Sequence, residues 1–141
     1  MADRIRVVHV DDDSDIRSLT AAGLRQADDR IDVTSVATPA EALERLSEES
    51  IDCVLADYRM PEADGLEFLA DVRDRWPDLP FILYTAKGSE EVASEAISKG
   101  VTDYVRKATT SEGYRRLTQR IIAATEHRRA SEYERVADLV R

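Results

Sequence analysis

Five residues of the chain sit where chemistry can be done. Asp11 and Asp12 follow directly on one apolar run, Asp57 closes another in LADYRMPEADG, Thr85 ends a third in ILYTAKG, and Lys107 follows a fourth in DYVRKAT. Alone, each has an ordinary explanation, because acids after strands cap helices or form turns, threonines do the same, and lysines are usually solvated. Together they are a set of hard oxygen donors with a cation and a hydroxyl. Carboxylates from two different strands suit Mg²⁺, which keeps part of its water and binds readily where a phosphate is present. A lysine and a threonine hydroxyl suit phosphoryl oxygens. The nucleophile must be a carboxylate that the metal does not wholly consume, and Asp57, which follows the central one of the apolar runs, is the natural choice.

Two other readings of the acid run DDDSD are open to direct test. An EF-hand loop starting at Asp11 requires Gly at its sixth position and Glu at its twelfth; these are Ile16 and Ala22, so a calcium loop is excluded. An aspartate-based, Mg²⁺-dependent phosphatase, with Asp11 and Asp13 as its acid pair, remains the alternative. Asp13 is expected to face solvent beside the pocket, and Asp15 to favour the first turn of a helix.

These residues need a scaffold that brings separate strand ends together. Five apolar, β-branched or aromatic runs occur, at Ile5–Val10, Ile31–Val36, Ile51–Ala56, Phe81–Tyr84 and Asp103–Val105. The first, third and fourth are almost continuously apolar, as in parallel strands covered on both faces. Between them lie amphipathic stretches, Asp15–Gln26 (Ile16, Leu19, Leu24), Pro39–Glu48, Gly65–Arg75 and Glu90–Lys99 (Val92, Ala96, Ile97). Thr38-Pro39 with Glu41, and Ser89, read as helix starts; Gly100 and Trp76-Pro77 read as stops. A βα unit repeated five times implies an α/β fold, a doubly wound parallel five-stranded sheet. In such sheets ligands bind beyond the carboxyl ends of the strands, where all five candidate residues fall.

Composition narrows the class. The chain has 141 residues, 43% of them hydrophobic, and a net charge of −9, which disfavours binding to a phosphate backbone. One cysteine, Cys53, permits no internal disulfide and reads as a core residue. No stretch approaches the roughly 20 apolar residues of a membrane span, so a soluble cytoplasmic protein is expected. The basic residues are 17 Arg and 3 Lys. Adaptation to a high-salt cytoplasm and a GC-rich genome both produce that bias.

Over about residues 3 to 125 the chain resembles the receiver domain of two-component response regulators. The resemblance rests on the acid pair after the first run, DYRMPEADG around Asp57, Thr85 before a small residue, and DYVRK ending in Lys107. Thr85 to Tyr104 is 19 positions and Tyr104 to Lys107 is 3, as in the family. It implies a flavodoxin-like strand order 2-1-3-4-5 and no enzyme in the ordinary sense. Asp57 would accept a phosphoryl group from a histidine kinase or phosphotransfer protein. Asp12, Asp57 and the backbone carbonyl of Arg59 would ligate Mg²⁺, and Asp11 would hold a metal-bound water. Thr85 and Lys107 would contact the phosphoryl oxygens. Tyr104 would turn inward as Thr85 moves, remodelling the face formed by the fourth helix, fifth strand and fifth helix, where partners dock. The family usually has a proline after the lysine, in a cis peptide; here it is Ala108. Arg59 and Lys87, each two residues beyond a site residue, are basic, and the expectation is that they attract anionic phosphodonors.

Residues 1–125 are read as the receiver and 126–141 as a helical extension. In the last helix Tyr114, Leu117, Ile121 and Ala124 should face the sheet. Farther on, Ala123, Glu126, Ala130, Tyr133, Ala137 and Val140 fall at heptad spacing, with a frayed amphipathic extension as the other reading. Residues 111–141 hold 7 Arg against 5 acids, which without a helix-turn-helix partner is no case for DNA binding. The expected partners are the kinase, a downstream protein or fused output, sensor or kinase domain, and a second copy through the last helix.

Overall fold

The computed structural model describes residues 4–86 and 89–140. Lys87 therefore lies outside the described residues. The elements alternate: β1 (Ile5–Val10), α1 (Ser14–Ala27), β2 (Ile31–Val36), α2 (Pro39–Glu48), β3 (Cys53–Ala56), α3 (Gly65–Arg75), β4 (Phe81–Thr85), α4 (Glu90–Ser98), β5 (Asp103–Arg106) and α5 (Ser111–Leu139). All strand pairs are parallel and the order is β2-β1-β3-β4-β5. The chain thus has the flavodoxin-like sheet that the resemblance implied.

The period of two along each strand divides the core. Val8, Val10, Val54, Ala56, Phe81 and Leu83 pack with Phe68, Leu69 and Val72 of α3 and Ala42 and Leu46 of α2. Ile5, Val7, Cys53, Leu55, Ile82 and Tyr84 face Leu24 of α1 and Leu117 and Ile121 of α5. The central strands are apolar on both sides because both sides are covered. Helix starts are set by side-chain caps from Asp13, Thr38, Asp64, Ser89 and Thr110, each of which satisfies main-chain donors in the first turn. Gly100, with φ of 90°, turns the chain out of α4.

Several local expectations change. β3 begins at Cys53, not Ile51: Asp52 N–H still donates to the Arg6 carbonyl (2.9 Å), but the Arg6 N–H is taken by the Asp52 carboxylate (2.8 Å) in place of a main-chain carbonyl. Leu19 of α1 and Ile97 of α4 are exposed, at 51% and 71%. On α1 the inward stripe runs through Thr20 and Leu24, one helical step of 100° away from Leu19. Gly23 belongs to the same contact: a Cβ there would collide with the Tyr114 ring, so α1 and α5 are in close contact. On α5 the buried stripe continues from Ile121 to Thr125, whereas Ala124 is only half-buried. Asp13 is exposed, as expected, and is in addition the cap of α1; its Oδ1 accepts from the N–H groups of Asp15 (2.9 Å) and Ile16 (3.2 Å). No described peptide bond is cis, so Lys107–Ala108 is trans.

α5 is one unbroken helix of 29 residues. Beyond the sheet, Arg129 donates to the Arg4 carbonyl (3.2 Å) and lies 3.5 Å from Asp52. Arg135 pairs with Asp78 at 3.2 Å. These contacts hold the extension against the amino-terminal edge of the sheet.

Candidate phosphoacceptor site

β1 and β3 are hydrogen-bonded neighbours, which sets Asp11, Asp12 and Asp57 side by side at the carboxyl edge. The Asp57 N–H donates to the Val10 carbonyl (3.0 Å), tying the end of β3 to β1. One carboxylate oxygen from each of the three acids lies within 4.8 Å of the other two. Lys107 arrives from the end of β5, its N–H bonded to the Thr85 carbonyl (3.0 Å). Its Nζ lies 2.6 Å from Asp11 Oδ2 and 3.4 Å from Asp57 Oδ2. Thr85 is buried beside them.

The three acids differ in surroundings. Asp11 is buried, accepting from Asp13 N–H (3.0 Å) on its Oδ1 and from Lys107 on its Oδ2. Asp12 is exposed and Asp57 half-buried. Asp57 Oδ1 accepts from the Tyr58 N–H at 2.8 Å. Burial raises the Asp57 carboxyl above the usual carboxylate range; Lys107 works against this, Asp11 adds to it, and hydrogen bonds from Thr85 and Tyr58 N–H lower it. Three carboxylates against one ammonium form a crowded anionic cluster of hard donors. That donor chemistry fits Mg²⁺, with Asp11, Asp12 and Asp57 as the residues that could hold it.

Arg59 lines a shallow cleft of about 450 Å³ together with Asp12, Tyr58, Met60, Pro61 and Asp64, next to the acids. Tyr104 sits on β5 half-buried against the cluster that contains Leu83 and Ala96. Two residues under the site were not singled out in the sequence. The Tyr84 ring centroid is 5.9 Å from Lys107 Nζ, near the outer limit of a cation–π contact. His9 meets that ring edge-on at 6.4 Å. Burial lowers the His9 pKa to about 4, with Asp11 opposing and Lys107 and Arg17 assisting, so the imidazole is neutral at neutral pH. The signal was present in IRVVHV: with period two, His9 points to the same face as Asp11.

Comparison with known proteins agrees with this geometry. Residues 7–122 match the response regulator receiver domain. The DNA-binding transcriptional regulator NtrC of Escherichia coli is 39% identical over 98 residues, 70% of this chain and 20% of that protein. The C4-dicarboxylate transport transcriptional regulatory protein DctD of Rhizobium meliloti is 37% identical over 120 residues, 85% of this chain and 25% of that one. The chain thus spans about a fifth to a quarter of these relatives. Among solved structures, a receiver domain protein of Methanospirillum hungatei superposes with a TM-score of 0.80 at 24% identity, covering 91% of this chain and 98% of that one. The beryllofluoride-activated NtrC4 receiver domain dimer gives 0.76 at 30% identity, covering 87% and 98%. On the sheet order, the cluster of acids with its lysine, and a match over most of its length, the chain belongs to the response regulator receiver domain family.

Proposed function

We propose that the chain is a phosphorelay receiver whose phosphoacceptor is Asp57. The observation that carries this reading is the Asp57 carboxylate, half-buried beside Asp11 and Asp12 with the Lys107 ammonium 3.4 Å away. An Asp57 oxygen attacks phosphorus; the bond to the donor's nitrogen or oxygen breaks, and the leaving group keeps that electron pair. Lys107 and the Thr85 hydroxyl meet the phosphoryl oxygens, stabilising charge in a transfer that needs little beyond positioning. Asp12, Asp57 and the Arg59 carbonyl would hold Mg²⁺ and Asp11 a water on it, and the ion would supply further charge neutralisation. Asp13 is engaged as a helix cap through Oδ1, which favours this reading over a phosphatase built on Asp11 and Asp13.

The experiment is incubation with acetyl phosphate and Mg²⁺, followed by mass spectrometry. A labile adduct confined to Asp57, absent when a chelator replaces Mg²⁺, is the expected result. Multiple turnover of phosphomonoesters that depends on Asp11 would replace it with the phosphatase. Lys107→Met should slow labelling by about a hundredfold, the scale of losing one charge-stabilising donor. Labelling at the wild-type rate would remove Lys107 from the site.

The switch in this reading runs from Thr85 to Tyr104, shifting the population of the α4-β5-α5 face. A histidine kinase or phosphotransfer protein loads the site in the cytoplasm, and a downstream protein or fused module reads that face. Residues 1–125 act as the receiver and 126–141 as a helical linker. Tyr133 and Val140 of the heptad series are exposed at 77% and 79%, and Val136 lies beside them. Dimerisation through this stripe is part of the proposal. In sedimentation, Tyr133→Glu should shift the chain toward monomer; an unchanged distribution removes the extension as the dimer contact.

A further inference from the structure

A second polar site lies on the other side of α1. Between α1 and the edge strand β2 runs an open groove of about 490 Å³, with Ser14, Arg17, Ser18, Arg25, Val33 and Ser35 among its lining residues. No lining residue is acidic, although the chain carries 29 acids against 20 basic residues. Among the described residues neither arginine pairs with a carboxylate. Arg17 donates to the Asp11 carbonyl (2.8 Å) and Arg25 to the Val33 carbonyl (3.1 Å). A guanidinium has five N–H donors, so both keep donors to spare while their positions are fixed by the main chain. The Ser35 hydroxyl oxygen is buried without a hydrogen-bond partner, and such a group ordinarily has one.

The spacing of the anchors limits the ligand. Val33 pairs with Val7 in the sheet, so the carbonyl that anchors Arg17 lies four residues farther along. At about 3.3 Å per residue that is roughly 13 Å, too far for one phosphate to bridge. One end of the groove, with Arg17, Ser14 and Ser18, offers directional donors to a tetrahedral oxyanion; Arg25 supplies charge at the other end.

We infer that the α1–β2 groove binds an elongated small molecule with two phosphate groups, one against Arg17, Ser14 and Ser18 and the other against Arg25. The groove borrows only the Asp11 main-chain carbonyl from the acid cluster and none of its carboxylates. It is therefore a site separate from the phosphoacceptor pocket.

The test is amide NMR on the full chain at low ionic strength, with chelator and no divalent cation. The titrants are inorganic phosphate, ethane-1,2-diyl bisphosphate and hexane-1,6-diyl bisphosphate. The six-carbon compound should shift the amides of Ser14, Ser18, Arg25 and Ser35. Its half-saturation should fall about tenfold below the other two, the gain from one further charge-assisted contact. Arg25→Gln should abolish that tenfold advantage while leaving acetyl phosphate labelling of Asp57 unchanged. Equal affinity for all three titrants overturns the inference, as do shifts confined to Asp12 and Tyr58. An extended acidic peptide that saturates the same amides at lower concentration would also overturn it, making the groove a peptide site.

Discussion

Asp57→Asn is expected to abolish the acetyl phosphate adduct and, in the metal-free protein, to raise the unfolding temperature at neutral pH. The first effect follows from chemistry: an amide oxygen is no nucleophile toward phosphorus, and neither Asp11, bonded to Lys107, nor the exposed Asp12 is placed to substitute. The second follows from the environment. Burial raises the Asp57 carboxyl above the ordinary range, with Asp11 adding to the rise. A group whose pKa is raised by folding favours the folded state most while it is protonated. That contribution is complete below the unfolded value, near 4, and is lost as pH climbs through the folded value. At pH 7 the wild type therefore carries the cost of ionising Asp57, and the asparagine variant does not. Each tenfold change in proton affinity is worth about 1.4 kcal/mol, or roughly 4 °C for a chain of this size. Thermal melts in chelator at pH 3.5 and pH 7 check the sign, since the difference should appear only at the higher pH. An equal or lower melting temperature for the variant at pH 7 would mean that Lys107 outweighs burial.

Gly65→Ala should damage fold and site together. A Cβ at Gly65 would lie 2.5 Å from the Asp57 carbonyl oxygen, 2.8 Å from Leu83 Cδ1 and 3.0 Å from Tyr58 Cα. Two of those three atoms are main chain and cannot rotate aside. The start of α3 must move instead, stretching the 2.7 Å bond from Gly65 N–H to the Tyr58 carbonyl and disturbing Phe68, which packs on Phe81 at 5.5 Å. Overpacking of this kind costs about 2 kcal/mol, roughly 6 °C in melting temperature. Because the clash is with the main chain of Asp57 itself, labelling by acetyl phosphate should slow at least about tenfold. A variant that melts and labels like the wild type would show that the β3–α3 connection does not hold Asp57.

Much of this arrangement was legible in the order of residues. The α2 and α3 boundaries were read correctly because their signals are local: Thr38-Pro39 starts one, and Trp76-Pro77 closes the other. The nearness of Asp11, Asp12, Asp57 and Lys107 could be expected because parallel strands of similar length bring their ends to one edge. What stayed hidden depends on neighbours distant in sequence. Leu19 and Leu24 carry equal core signals in the sequence, and it is Tyr114, lying over Gly23, that fixes which face of α1 turns inward. Asp13 has the same composition cues as Asp12, and only the turn of the chain makes one a cap and leaves the other beside Asp57. The contacts of Arg129 and Arg135 with Asp52 and Asp78 join residues more than fifty positions apart, and no local pattern announces them.

The unbroken length of α5 has a mechanical consequence. Its buried stripe ends at Thr125 and the helix runs on to Leu139, leaving a rigid arm of about 21 Å at 1.5 Å per residue. A pivot of about 10° at the end of that stripe would swing the tip by nearly 4 Å, enough to part Arg135 from Asp78. The displacement of any point on the rod grows with its distance from Thr125, so a small rotation there is read out as a large movement at Leu139.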